Sequence, residues 1–207
     1  MKKNVVAPMI VAGIVFGTGQ AVFADEQVPT GYQTINNADG DQYDSTKGVE
    51  IPVKGTLGKL DNTDPEENIP EGDDRWLKVT IPTSVAFNTD PEKENKEIMA
   101  YNYTIKNLSA RPINVNLSTF TGSEEPALTK LSFTPKTGDA IDVVTNGVVK
   151  ENVNQLLGKL DAKLGVYEFT YKGTVDPEKL VDESTKVSYN MNLKFEVLDK
   201  NGESVTK

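Results

Sequence analysis

An all-β protein is predicted: an antiparallel β-sandwich, immunoglobulin-like or jelly-roll-like, with a disordered N-terminal arm. Three observations predict it. Apolar residues recur at every second position in one segment after another, turn-forming residues separate those segments, and the regular amphipathic helices of a βαβ layout are missing between them.

The elements follow in order along the chain. Lys2 and Lys3 precede an apolar run from Val5 to Phe16 that only glycine and proline interrupt, and small residues Val22 and Ala24 stand where a signal peptidase requires them. Residues 1–24 are therefore expected to be a cleaved secretory signal, since a run of roughly 12 to 15 apolar residues falls short of the ~20 that span a bilayer. Residues 25–48, rich in Gly, Asp, Asn, Gln and Thr, read as a flexible arm. The sandwich is assigned to residues 49–207. Its first strand is expected at Val49 to Lys54, on an edge because Pro52 cannot donate to a ladder. An acidic segment from Asp61 to Asp74 reads as a flexible solvated loop, too polar for the core.

Alternation then sorts side chains onto faces. Leu77, Val79 and Ile81 share one face, as do Tyr101, Tyr103 and Ile105, and again Ile113, Val115 and Leu117. Leu131 alternates with Phe133, and Tyr167 with Phe169 and Tyr171. The longest stripe is Val187, Tyr189, Met191, Leu193, Phe195 and Val197, with polar residues between them. Helical turns or short helices fit only near residues 152–163 and 176–182, and Asn201-Gly202 reads as a tight turn.

Composition removes much chemistry. The 207 residues include no cysteine and no histidine, so neither thiol nor imidazole can act as nucleophile, base or metal ligand. The formal net charge is −9, and it becomes −11 once Lys2 and Lys3 leave with the signal. Such a surface repels nucleic acid and anionic lipid, so neither a nucleic-acid partner nor membrane insertion of the mature chain is expected. Without disulfides, an exported chain must be held by core burial, a usage that suits bacterial export.

Paired carboxylates are the catalytic groups that remain, as in glycoside hydrolysis. They crowd into the acidic loop and onto strand surfaces, where nothing raises a carboxyl pKa, so no catalytic residue and no cofactor is assigned. Asp64, Glu66, Glu67, Glu71, Asp73 and Asp74 offer hard oxygen ligands for calcium, but their spacing matches no calcium motif and no metal site is assigned. Trp76, the single tryptophan, alternates onto the face of Lys78 and Thr80. It is read either as a surface ring for stacking on a sugar or partner, or as an indole folded over the end of the sandwich. Trp76, Tyr101 and Tyr103 are the candidate binding residues.

The runs Trp76-Leu77-Lys78-Val79-Thr80-Ile81-Pro82-Thr83 and Tyr101-Asn102-Tyr103-Thr104-Ile105-Lys106-Asn107-Leu108-Ser109-Ala110-Arg111-Pro112-Ile113 resemble small secreted surface proteins of Gram-positive bacteria related to, or encoded near, the WxL-type cell-wall proteins. The resemblance spans about residues 75 to 198 and includes the segments Tyr167 to Gly173 and Leu193 to Val197. It implies a β-sandwich that associates non-covalently with peptidoglycan or sits in surface complexes. The chain has no Trp-x-Leu motif, so the resemblance implies location and fold rather than direct wall binding. The expected function is that of an exported, non-catalytic cell-surface protein acting on surface proteins or cell-wall polymer, with self-association by strand addition as one route. A carbohydrate-binding module is the alternative, and a carboxylate hydrolase stands behind both.

Overall fold

The computed structural model describes residues 46–47, 49–182 and 184–205. The expected signal and nearly all of the expected arm lie outside the described residues. Eleven strands are named within them. A six-stranded sheet runs in the order β1 (Val79–Thr80), β4 (Tyr103–Asn107), β10 (Val166–Val175), β6 (Leu128–Pro135), β7 (Ile141–Thr145) and β8 (Val148–Val149). A three-stranded sheet places β5 (Ile113–Gly122) between β11 (Tyr189–Val197) and β9 (Asn152–Leu160), and β2 (Phe87–Thr89) pairs with β3 (Ile98–Ala100) as a ribbon. Every pairing is antiparallel. The fold is all-β, as the alternation predicted.

The stripes meet in one core. From the larger sheet come Ile105, Leu131, Phe133, Val144, Phe169 and Tyr171, and from the smaller Ile113, Val115, Leu117, Phe120 and Val197. Register aligns the aromatic rows: Tyr171 stands opposite Phe133 and Phe169 opposite Tyr103. The Phe133 and Phe169 rings stack at 4.6 Å, while Phe133 meets Tyr171 edge-on at 5.9 Å, so shape-specific ring packing adds to burial. Asn146 and Gly147 join β7 to β8 with positive φ at both residues (50° and 80°), the backbone that a two-residue hairpin requires.

Bulges decide which residues face inward. Leu193 pairs with Leu117 but Asn192 pairs with Thr119, so Ser118 is the extra residue. The extra residue shifts the phase of β5, and Phe120 enters the core after Leu117.

Several expectations are corrected. Val49 to Lys54 forms no strand and is exposed throughout, with Ile51 76% and Val53 95% exposed. The chain is tied down just beyond it, where the Thr56 hydroxyl donates to Glu67, and the preceding segment finds no ladder partner among the described residues. Residues 152–163 hold the nine-residue β9 instead of a helix, because pairing with β5 fixes the backbone there. The helical turn expected in residues 176–182 is present, as the 3-10 turn Pro177–Lys179, whose Glu178 amide is capped by Asp176. The expected strand through Leu77 and Ile81 shrinks to β1, and Ile81 is exposed.

Candidate functional site

Trp76 does not lie on a sheet face. Asp74–Trp76 forms a 3-10 turn capped by Asp73, whose carboxylate accepts from the Arg75 amide at 2.8 Å. The turn swings the indole inward, where none of its surface is exposed. Its Nε1 donates to the carbonyls of Ile69 (3.2 Å) and Pro70 (3.0 Å), so its one polar atom is satisfied within the loop. A ring with no accessible face cannot stack on a ligand, and the outward position read from alternation is corrected accordingly.

The two tyrosines have separate surroundings. Tyr101 falls between β3 and β4, outside the ladder, and is 78% exposed. Tyr103 is half-buried against Phe169, 5.7 Å between ring centres, and its hydroxyl accepts from the Ala86 amide and donates to the Ala86 carbonyl. That pair of bonds latches the approach to β2 onto the larger sheet. Trp76, Tyr101 and Tyr103 therefore form no common platform.

The acidic loop is not a free solvated run. Glu67 accepts from the amides of Asp61 (2.9 Å) and Asn68 (2.8 Å) and from the Thr56 hydroxyl, and these bonds hold its carboxyl below the ordinary range, the Asp61 amide foremost. Glu71 takes a bidentate pair from Arg111, 2.8 Å at each oxygen. Ile69, in the middle of the loop, is buried. Among the described residues no cluster of three or more acidic side chains is placed to hold a metal ion.

A concavity lies elsewhere. A cleft of about 1060 Å³ opens between the approach to β2, the ribbon, and residues 184–188. Phe87, Phe120, Tyr171 and Tyr189 line it as one ring cluster, with Phe120 stacked on Tyr189 at 5.2 Å and Phe87 6.3 Å from both tyrosines. Tyr171 Oη donates to Met191 Sδ at 3.3 Å. Tyr189 Oη is buried with no hydrogen-bond partner. Burial raises the pKa of both phenols, so they stay protonated at neutral pH. The cleft wall is therefore an apolar ring cluster in which Phe87 and Tyr189 keep part of their surface exposed, while both phenol hydroxyls are turned into the protein.

Sequence reasoning placed Tyr171 and Tyr189 on core stripes but missed the cleft. Phe87 sits in a strand of three residues, too short to alternate, and Phe120 lies beyond the bulge at Ser118. The segment expected as the first strand stands free instead of on a sheet edge: Val49, Ile51 and Val53 are exposed, as is Leu57. No helix of the described residues is long and apolar enough to cross a membrane. No protein-family model matches the chain, and no curated protein matches it either.

Proposed function

We propose that the chain is an exported, non-catalytic protein of the Gram-positive cell surface that works by contact, as an adhesion or surface-complex component. The observation that carries this reading is the exposed segment Val49 to Lys54, which has the alternation of a strand and no ladder, together with sheet edges at β11 and β9 that have no outer partner among the described residues. Free edges and free strands are the complementary halves of strand addition. The acidic surface supports a protein or wall polymer as partner rather than nucleic acid.

One observation favours the second reading, a carbohydrate-binding module: a cleft of about 1060 Å³ walled by the partly exposed rings of Phe87 and Tyr189 is of a size to take a sugar. Binding of the purified chain to isolated peptidoglycan and to solubilised surface proteins separates the two. Contact through the strand segment predicts capture of proteins or wall that Ile51→Asp abolishes and Phe87→Ala spares. A sugar module predicts the reverse. No binding by either route, from a chain recovered in the culture medium or wall fraction, would overturn both.

A further inference from the structure

We propose that Val49 to Lys54 of one copy adds as an antiparallel strand to the free edge of β11 in a second copy. This inference rests on the contact-forming reading above and names the partner and the edge.

The edge is incomplete in the single chain. β11 pairs with β5 along its whole length, and among the described residues no other backbone hydrogen bond reaches Tyr189 to Val197. Its inward stripe of Met191, Leu193 and Phe195 is only half-buried, and among the described residues no strand follows β11 in that sheet. A further strand with apolar residues at alternate positions would cover that stripe.

Residues 49–54 fit the need in three respects. Setting Ile51 opposite Leu193 in antiparallel register puts Val49 opposite Phe195 and Val53 opposite Met191, so three apolar pairs fall on the core side. The same register sets Glu50 opposite Lys194 on the outward face, opposite charges directly across. Proline placement agrees as well. In a strand, alternate residues send both backbone groups to the same side, so when Val49, Ile51 and Val53 bond to β11, Pro52 faces away, where its missing N–H costs nothing and blocks a further strand.

The occupant is a second copy because the apolar and charge complementarity is to this chain's own β11, and within one copy the segment is not seated on that strand. Val53 stands 95% exposed, two residues before Gly55 and three before the Thr56 anchor on Glu67.

Sedimentation velocity of the full chain over a concentration range tests the inference. Concentration-dependent association is expected, and Ile51→Asp should raise the dissociation constant roughly a hundredfold by burying a carboxylate in the joint. At concentrations where the wild-type chain is monomeric the melting temperature of the variant should not move, since Ile51 is largely exposed in the single chain. Glu50→Lys should weaken association, and Lys194→Glu added in the same chain should restore it. The absence of native cysteine makes position-specific cross-linking clean: a Glu50→Cys chain mixed with a Lys194→Cys chain should form the mixed disulfide between copies. A wild-type chain that stays monomeric, an association indifferent to Ile51→Asp, or a disulfide that closes within one doubly substituted chain would overturn the inference. A monomeric chain that still binds surface components would do so while leaving the contact-forming reading standing.

Discussion

The Arg111 guanidinium lies 3.9 Å above the centre of the Trp76 ring while its Nε and Nη2 donate along one edge to the two carboxylate oxygens of Glu71, at 2.8 Å each. Sandwiched between an indole and a carboxylate, the side chain is only 6% exposed. It joins three stretches of sequence: the acidic loop through Glu71 and the Pro65 carbonyl, the 3-10 turn through Trp76, and the sharp connection between β4 and β5 on which Arg111 itself stands. Planar stacking and bidentate pairing at once are what a guanidinium can supply and an ammonium cannot.

Removing this joint should be costly. Trp76→Ala should destabilise the fold by about 3–5 kcal/mol through cavity formation. Arg111→Lys should not rescue what Arg111→Ala loses, because the lysine can neither stack nor fork. Urea unfolding of the three variants checks this, and an Arg111→Lys chain of wild-type stability would show the guanidinium geometry to be dispensable.

Register in β11 can be read from two adjacent residues. Leu193→Asp places a carboxylate in the inward stripe and should cost about 2–4 kcal/mol, whereas Asn192→Asp, on the exposed face, should stay within about 0.5 kcal/mol. Equal shifts in melting temperature would contradict the observed pairing of Leu193 with Leu117.

Gly173 is required by close approach rather than by backbone conformation. A Cβ at this position would stand 2.1 Å from the Lys130 carbonyl oxygen across the β10–β6 ladder. Gly173→Ala should therefore force the two central strands apart and lower the melting temperature by many degrees. Gly55→Ala, where a Cβ meets nothing within 4 Å, should leave it unchanged.

Acid should unfold the protein through carboxylates whose pKa values the fold depresses. Asp199 accepts from the amides of Glu203 and Asn201, both at 2.8 Å, and these bonds lower its pKa, Glu203 foremost. The Ser132 hydroxyl does the same for Asp142. A depressed folded-state pKa contributes stability that is present above the ordinary value of 3.8 and is lost as pH falls through the folded value. With no histidine in the chain, melting temperature should be nearly flat from about pH 5.5 to 7 and fall below about pH 4. Asp199→Asn should lower stability at neutral pH and narrow its deficit in acid. A deficit that stays constant down to pH 2 would show that Asp199 contributes nothing through its charge.

The sequence by itself determined the class of fold and most of the core, because a two-residue period is a local property that survives any tertiary arrangement. Ile105, Val115, Leu117, Phe133, Phe169 and Tyr171 all lie on stripes visible without a structure, and all are buried. Where the period breaks, only the assembled sheets could decide. Val153, Leu156, Leu157 and Leu160 have the spacing of a helix face, yet they lie in β9, where register shifts against β5 disturb the alternation and leave Leu156 exposed. Phe120 enters the core because an extra residue at Ser118 changes the phase of its strand. Trp76 was open to either reading in the sequence, since one residue at the start of an alternating run takes its direction from the turn before it. The tertiary structure turned it inward by pairing Arg111 with Glu71, 40 residues apart in the chain. The segment Val49 to Lys54 shows the opposite limit: its local pattern is that of a strand, but a strand exists only where an edge is within reach to satisfy its backbone, and that depends on the positions of every other strand.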